Sequence, residues 1–263
     1  MTGPEDRAHV ATADIFQSTA VHDAQTHTAS ERVRVQDTLA LIPEGTGSLL
    51  EVGAGTCVLV NGAQVPRKVA VDAARRGLRL ATCPTAQASI LQLPFADRAF
   101  DVVLCAETLE HLPPELLAPA ARELRRVARR AVIVTTPWKE RLAEGVALCP
   151  DCGTEFHLHG HLNSLGPDEL APLFPDATRV DVKGSWRVRP YSPALLAVRH
   201  RVFGQRPWSR HSLCPHCRSN RLPKNDRRVA WRVLSALNTA LHPRRSQFNW
   251  VLLRAWFSPE DAR

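Results

Sequence analysis

The sequence predicts an α/β protein in which helices cover both faces of a mostly parallel sheet. Five short and nearly continuous apolar runs occur between residues 48 and 137, and the segment 114–129 between the last two is strongly amphipathic. Strands that are buried on both faces are apolar throughout, and in such folds they alternate with helices. The chain has 263 residues, 44% of them apolar, which is enough for a core of this kind.

The elements before residue 138 follow this alternation. Residues 1–20 are polar and irregular, a helix is predicted over 30–42, and Pro43 and Gly45 end it. A second helix is predicted over 114–129, where the apolar residues share one face. The predicted strands are SLLEVG (48–53), VAVDA (69–73), ASILQL (88–93), FDVVLCAE (100–107) and AVIVTTP (131–137).

The pattern changes after Pro137. Residues 138–165 contain a CxxC pair and the histidine-rich run FHLHGHLNSL, and a Pro-rich, basic stretch at 186–228 contains a second CxxC pair. The remaining predicted elements are a short helix at 166–174, a strand at 177–184, a helix at 226–241 and a final strand at 249–257.

The net charge of +8 is unevenly distributed. Residues 178–263 carry 18 Lys and Arg against 4 Asp and Glu, whereas residues 1–177 carry 16 against 22. A basic third favours an anionic partner, but the excess of Arg is equally typical of coding bias. No segment approaches the ~18–20 apolar residues of a membrane span. The N-terminal sequence MTGPEDRAHVATADIF lacks the apolar run of a secretory signal, so we expect a cytoplasmic protein.

A glycine-rich turn follows the first predicted strand. In LLEVGAGT (49–56), Gly53 and Gly55 flank Ala54, and the missing Cβ atoms let a ligand approach the backbone. The turn alone also suits a nicotinamide cofactor, but Val58 stands where the dinucleotide pattern has Gly or Ala. Glu51 precedes the turn, where its carboxylate can interact with a cationic amino group.

Asp72 ends the second predicted strand, 19 residues beyond Gly53. A carboxylate at this position can accept hydrogen bonds from two ribose hydroxyls. The alternative is that Asp72 caps the N-terminus of the following helix.

The stretch LPFADRAFDVVLCAETLEHL (93–112) resembles the corresponding signature of class I S-adenosylmethionine-dependent methyltransferases. With LLEVGAGT and VAVDA at the expected spacing, the resemblance covers about residues 45–137. It implies a Rossmann-like sheet of about seven strands in the order 3-2-1-4-5-7-6. It also implies S-adenosylmethionine as cofactor. The chain departs from the family at Cys57, which replaces a frequent third Gly, and at Ser89, which replaces an acidic residue. The implied cofactor-binding residues are Glu51, Gly53, Ala54, Gly55, Asp72, Ala73, Ser89 and Ile90.

An ExxEH run of Glu107, Glu110 and His111 lies at the end of the fourth predicted strand, where open α/β sheets bind ligands. Three interpretations remain open. His111 can act as a general base toward the acceptor. By resemblance to some ubiquinone O-methyltransferases and small-RNA 2′-O-methyltransferases, the trio can also bind Mg²⁺ or another divalent ion. The run can also serve only to cap a helix and pack the cofactor loop.

Two CPxC pairs, Cys149/Cys152 and Cys214/Cys217, resemble the knuckles of a zinc ribbon. Four thiolates complete a closed tetrahedral site, which predicts a structural Zn²⁺. The alternatives are four metal-free thiols, or a catalytic zinc that uses His157, His159 or His161. With a structural ion, His161 is expected to face the acceptor pocket, and His157 and His159 to lie at the surface.

These observations divide the chain into six parts. They are an N-terminal helical segment (1–44), the S-adenosylmethionine-binding core (45–137), a first zinc-knuckle insertion (138–165), a continuation of the sheet (166–185), a basic insertion with the second knuckle (186–247), and a final strand and tail (248–263).

The predicted function is methyl transfer to oxygen or nitrogen of a small-molecule or saccharide-type acceptor by SN2 displacement. The alternatives are an RNA methyltransferase that uses the basic third and a non-catalytic, cofactor-binding partner subunit. We expect no nucleic-acid acceptor, because no RNA-binding module is recognisable in the basic third. The oligomeric state is left open.

Overall fold

The computed structural model describes residues 28–204, 206–208, 213–222, 228–241 and 246–257. The predicted irregular segment 1–20 lies outside these ranges. The strands are β1 (Ser48–Val52), β2 (Arg67–Asp72), β3 (Thr85–Gln87), β4 (Phe100–Ala106), β5 (Ala128–Pro137), β6 (Val146–Leu148), β7 (Glu155–His157), β8 (Arg179–Val188) and β9 (Gln247–Trp256).

Seven of these strands form one sheet in the order β3-β2-β1-β4-β5-β9-β8, and β6 pairs with β7 in a separate hairpin. The strands from β1 to β5 are parallel, whereas β9 runs antiparallel to both β5 and β8. The seven-stranded, mostly parallel sheet in the order 3-2-1-4-5-7-6 is therefore confirmed.

Helices lie around the sheet, as the alternating pattern predicts. Ala120, Ala121, Leu124 and Val127 form the buried face of the longest helix that crosses over between parallel strands. The described α-helices are α1 (Ala29–Leu39), α2 (Val58–Gly62), α3 (Arg75–Leu78), α4 (Pro114–Val127), α5 (Pro167–Leu170), α6 (Pro193–Ala197) and α7 (Arg228–Leu241). Within the described part of the chain, no helix is both long and apolar enough to cross a membrane.

The third strand differs from the prediction. The apolar run 88–93 is not a strand, because β3 lies just before it and the amide of Gln92 donates to the carbonyl of Ser89 in a turn. Ile90 and Leu93 are nevertheless buried in the core. These residues are apolar because they pack in the core, and not because they form a strand.

The carboxyl ends of β1, β2 and β4 meet at one edge of the sheet. β1 and β4 are buried along their whole length, so the residues that follow them emerge from a rigid base. The glycine-rich turn, Asp72 and the ExxEH run all belong to this edge, where ligands bind in open α/β folds.

Candidate active site

The turn after β1 depends on three residues in the left-handed region of backbone conformation. Gly53, Gly55 and Cys57 have φ angles of 71°, 49° and 60°. A Cβ at Gly53 would lie 2.2 Å from Oγ1 of Thr108, so the turn and the end of β4 are in close contact. A Cβ at Gly55 would meet no described atom within 4 Å, which leaves open space in front of the turn for a ligand.

Cys57 occupies the position of the missing third glycine. A non-glycine residue with this φ costs of order 1–3 kcal/mol, so the departure from the family pattern adds backbone strain at the site. The Cys57 side chain is buried, with Sγ 3.6 Å from the carbonyl oxygen of Gly77. Burial raises the pKa of this thiol to about 12, so it packs as a neutral side chain.

Gly77 is a site residue that the sequence reasoning missed. A Cβ at Gly77 would lie 1.8 Å from the carbonyl oxygen of Gly55, so only glycine lets α3 pack against the turn. The available signal was a glycine inside a short helical segment, where it lowers helix propensity and therefore needs a packing reason.

Asp72 holds the turn in place. Its Oδ2 accepts from the amide of Gly55 at 2.8 Å, and its Oδ1 accepts from the amide of Ala74 at 2.7 Å. The residue that caps α3 is Ala74, so Asp72 is not the N-cap itself. A carboxylate offers about four lone-pair sites, which leaves acceptor capacity for ribose hydroxyls.

The other predicted cofactor residues lie beside Asp72. The amide of Ala88 donates to the carbonyl of Asp72 at 3.1 Å, which holds the start of the segment 88–93 against the end of β2. Ser89 and Ala73 are exposed and Ile90 is buried, so one polar and one apolar side chain flank this end of the site.

Glu51 lies beneath the turn and is 3% exposed. Its Oε2 accepts from the amide of Val60 at 2.8 Å, but burial dominates and raises the pKa of the carboxyl to about 8. Glu51 is therefore mostly protonated at pH 7, and a cation placed beside it lowers its pKa again.

Binding of S-adenosylhomocysteine, whose amino group is cationic, should release a proton from Glu51 at pH 7. Calorimetry in phosphate and in Tris measures this release, because the two buffers differ in their heat of protonation. Glu51→Gln keeps the shape but has no proton to lose, and we expect its binding heat to be the same in both buffers. Equal heats for the wild-type protein would contradict a contact between Glu51 and the amino group.

The two carboxylates of the ExxEH run, those of Glu107 and Glu110, have different neighbours at the end of β4. Glu107 has a φ of 50° and accepts hydrogen bonds from Oγ1 of Thr135 at 3.1 Å and from Nε1 of Trp250 at 2.8 Å. Trp250, on β9, was not predicted to be near the site. Glu107 is thus directed toward β5 and β9, whereas Glu110 and His111 cluster with His161.

Residues 138–165 lie against this end of β4. The carbonyl of Glu110 accepts from the amide of Leu162 at 2.7 Å, and the Nδ2 of Asn163 donates to the carbonyl of Leu112 at 2.6 Å. The rings of His111 and His161 are 4.8 Å apart. The inserted segment and the cofactor domain therefore share one polar cluster.

Four histidine rings and the carboxyl groups of Glu110 and Glu140 form this cluster. Burial, followed by electrostatic interaction with His161, lowers the pKa of His111 to about 3, so His111 is neutral at pH 7. Glu140 is partly buried, but hydrogen bonds to His157 and His161 outweigh that burial and lower its pKa. His159 is exposed, as expected. The expectation of a surface position for His157 is wrong, because its side chain is 9% exposed and stacks on His161 at 4.9 Å.

The four predicted zinc ligands come together. The Sγ atoms of Cys149 and Cys217 are 3.5 Å apart, those of Cys152 and Cys214 are 3.7 Å apart, and all four lie within 4.8 Å of one another. This four-cysteine cluster connects segments that are separated by 61 residues of sequence.

The two CPxC turns have the same backbone design. In the first turn, the amide of Cys149 donates to the carbonyl of Thr154, and the carbonyl of Cys149 accepts from the amide of Gly153. In the second turn, the amide of Cys214 donates to the carbonyl of Ser219, and the carbonyl of Cys214 accepts from the amide of Arg218. The residue after each second cysteine is left-handed, with a φ of 72° at Gly153 and 61° at Arg218. Matching turns that direct four sulfurs to one point are typical of a tetrahedral metal site.

The comparisons with known proteins concern the domain that carries this site and its fold. The family model described as a methyltransferase domain matches residues 45–135. A methyltransferase from Thermotoga maritima is similar in structure, with 15% identity, a TM-score of 0.55, and coverage of 94% of this chain and 100% of that chain. One from Archaeoglobus fulgidus has 12% identity and a TM-score of 0.51 over 85% of this chain and 91% of its own. No curated protein matches the sequence.

A third similar structure is the 1,6-didemethyltoxoflavin-N1-methyltransferase of Burkholderia thailandensis, with 1,6-didemethyltoxoflavin and S-adenosylhomocysteine bound. It has 17% identity and a TM-score of 0.52 over 71% of this chain and 84% of that chain. At these identities the structures establish the shared fold, and the matched domain establishes the activity class. Residues 45–135 form a methyltransferase domain, and the chain is an S-adenosylmethionine-dependent methyltransferase.

Proposed function

We propose that this methyltransferase acts on oxygen or nitrogen of a small-molecule or saccharide-type acceptor. The observation that carries the proposal is the position of residues 138–165 against the end of β4, next to the glycine-rich turn. A segment tied to Glu110 and Leu112 covers the side from which an acceptor must approach. A covered site favours a compact acceptor over a polymer that must lie across the sheet edge.

The residues of the turn fit the proposed cofactor. Gly55 borders open space, Asp72 retains acceptor capacity for ribose hydroxyls, and Glu51 is a buried partner for an amino group. When bound, S-adenosylmethionine supplies a sulfonium methyl that the acceptor attacks in line. The protein contributes mainly by holding the reactants in position, which is worth up to ~7–11 kcal/mol in well-oriented models.

His111 stands on the acceptor side of this arrangement. Because its ring is buried and neutral at pH 7, it offers a nitrogen lone pair to an acceptor hydroxyl or amine. We propose that His111 orients the acceptor, while the Glu107 carboxylate and the Glu110 backbone carbonyl hold the end of β4. Methylation of a hydroxyl or amine also releases a proton, which the lone pair of His111 or a water molecule can accept.

The four-cysteine cluster fits a structural Zn²⁺. Four sulfurs satisfy the tetrahedral preference of the ion and leave no open position for substrate. Zinc at this point would join the β6–β7 hairpin, which leads into the histidine-rich segment, to the second knuckle.

Transfer of a radioactive methyl group tests the acceptor class. The protein is incubated with labelled S-adenosylmethionine and either a small-molecule extract or total RNA, and we expect label in small molecules only. The Asp72→Ala variant is the control, and it should lose most of the label. Label in RNA would favour the basic C-terminal third as an RNA-binding surface. Label in neither fraction would favour a non-catalytic partner subunit.

A further inference from the structure

We propose that Glu110, His111 and His161 form a second metal site, which takes a divalent transition-metal ion. One ligand atom from each of these three residues lies within 4.8 Å of the others. The site is separate from the four-cysteine cluster, and it differs from the trio expected from the sequence because Glu107 is engaged by Thr135 and Trp250.

Glu110 gives the strongest sign of a missing cation. Its side chain is 1% exposed, and neither carboxylate oxygen accepts a hydrogen bond from another described residue. An unpartnered buried carboxylate is costly, since burial removes its water and nothing replaces it. A cation between Glu110 and the two rings would supply the missing partner.

The two histidines are oriented as metal ligands are. The Nδ1 of His161 pairs with Oε2 of Glu140, and the Nδ1 of His111 lies 3.3 Å from the carbonyl oxygen of Gly160. Metal-binding histidines commonly donate one ring N–H to a carboxylate or a backbone carbonyl, which fixes the tautomer and points the other nitrogen at the ion. The same arrangement assigns Nε2 of each ring as the ligand atom.

His157 packs against His161 and lies close to Glu140. Its ring stacks on that of His161 at 4.9 Å, and its Nε2 lies 3.5 Å from Oε1 of Glu140. Glu140 is therefore held between two imidazoles. A carboxylate that pairs with Nδ1 of His161 makes the ring a better ligand through its other nitrogen.

The ligand chemistry selects the class of ion. Two imidazoles and one carboxylate suit Zn²⁺, Fe²⁺ or Co²⁺, whereas Mg²⁺ prefers oxygen ligands and keeps several waters. Three protein ligands also leave positions open for water or an acceptor oxygen. The ion would thus join the inserted segment to the cofactor domain at the acceptor side. With the ion on Nε2 of His111, an open position on the metal would take over the orientation of the acceptor from the His111 lone pair.

Metal binding to the purified full-length protein tests this inference. After removal of metal, the wild-type protein is titrated with Co²⁺, and His161→Ala should bind one equivalent fewer. The near-ultraviolet absorption from thiolate–Co²⁺ bonds should be unchanged in His161→Ala, which shows that the four-cysteine cluster is intact. Mg²⁺ should not compete with Co²⁺ for the lost equivalent.

The histidine two residues away supplies a matched control. His159→Ala removes a neighbouring imidazole that belongs to neither the proposed ligand set nor the group around Glu140, and it should bind as much Co²⁺ as the wild type. Glu140→Gln keeps the shape of the segment and should weaken Co²⁺ binding by about 10–100-fold. Equal Co²⁺ content in the wild type and His161→Ala, or an equal loss in His159→Ala, would overturn the proposal.

Discussion

Cys214→Ser is expected to release the zinc proposed at the four-cysteine cluster and to detach the β6–β7 hairpin from the second knuckle. The reason is that Cys214 is buried and lies 3.7 Å from Cys152, so its loss opens one edge of the tetrahedron. Structural zinc sites in small peptides contribute ~10–16 kcal/mol to folding. Metal analysis and limited proteolysis measure the result, and new cleavage should appear between Val146 and His157 first.

The seven-stranded sheet should survive this substitution. Its core is formed by apolar residues of β1, β4 and β5, which do not contact the cluster through any described hydrogen bond. Cys83→Ser is the matched control, because Cys83 is a free thiol outside the cluster. If Cys214→Ser retains a full equivalent of zinc, or if both variants are cleaved alike, the cluster is not a structural metal site.

Much of the fold could be predicted because the relevant signals are local. The apolar runs of β1, β4 and β5 and the amphipathic face of α4 each define an element within about ten residues of sequence. The prediction placed the third strand at 88–93, after the true position of β3, because Ile90 and Leu93 are apolar. These two residues pack in the core and do not pair in the sheet. Periodicity does not separate these two causes in short runs.

The site was predictable only in part, because its key contacts join distant segments. The grouping of the four cysteines could be predicted from their spacing, because the CPxC sequence occurs twice and each copy forms the same turn. No spacing rule connects Glu107 to Trp250, or Glu110 to His161, because those contacts depend on how the inserted segment returns to the end of β4. Gly77 was missed for the same reason, as its partner is the turn at Gly55.

Gly53→Ala should weaken binding of S-adenosylhomocysteine by on the order of 10- to 100-fold. A Cβ at this position meets Oγ1 of Thr108 at 2.2 Å and Cβ of Thr108 at 3.0 Å, and the backbone is left-handed with a φ of 71°. Thr108 cannot easily turn away, because its Oγ1 donates to the carbonyl of Ala106 at 2.9 Å. The turn must therefore shift away from β4, which moves the amide of Gly55 and the space in front of it. Calorimetry with S-adenosylhomocysteine gives the dissociation constant.

Two further variants separate the clash from the backbone strain. Gly45 has nearly the same φ, 70°, but no described atom would lie within 4 Å of its Cβ. Gly45→Ala should therefore lower the free energy of unfolding by a similar amount and leave ligand binding unchanged. In the double variant Gly53→Ala/Thr108→Ala, the closest opposing atoms are gone, and most of the affinity should return. If the double variant binds as weakly as Gly53→Ala, the φ angle rather than the contact with Thr108 makes glycine necessary, and the close packing of the turn on β4 is not what shapes the cofactor site.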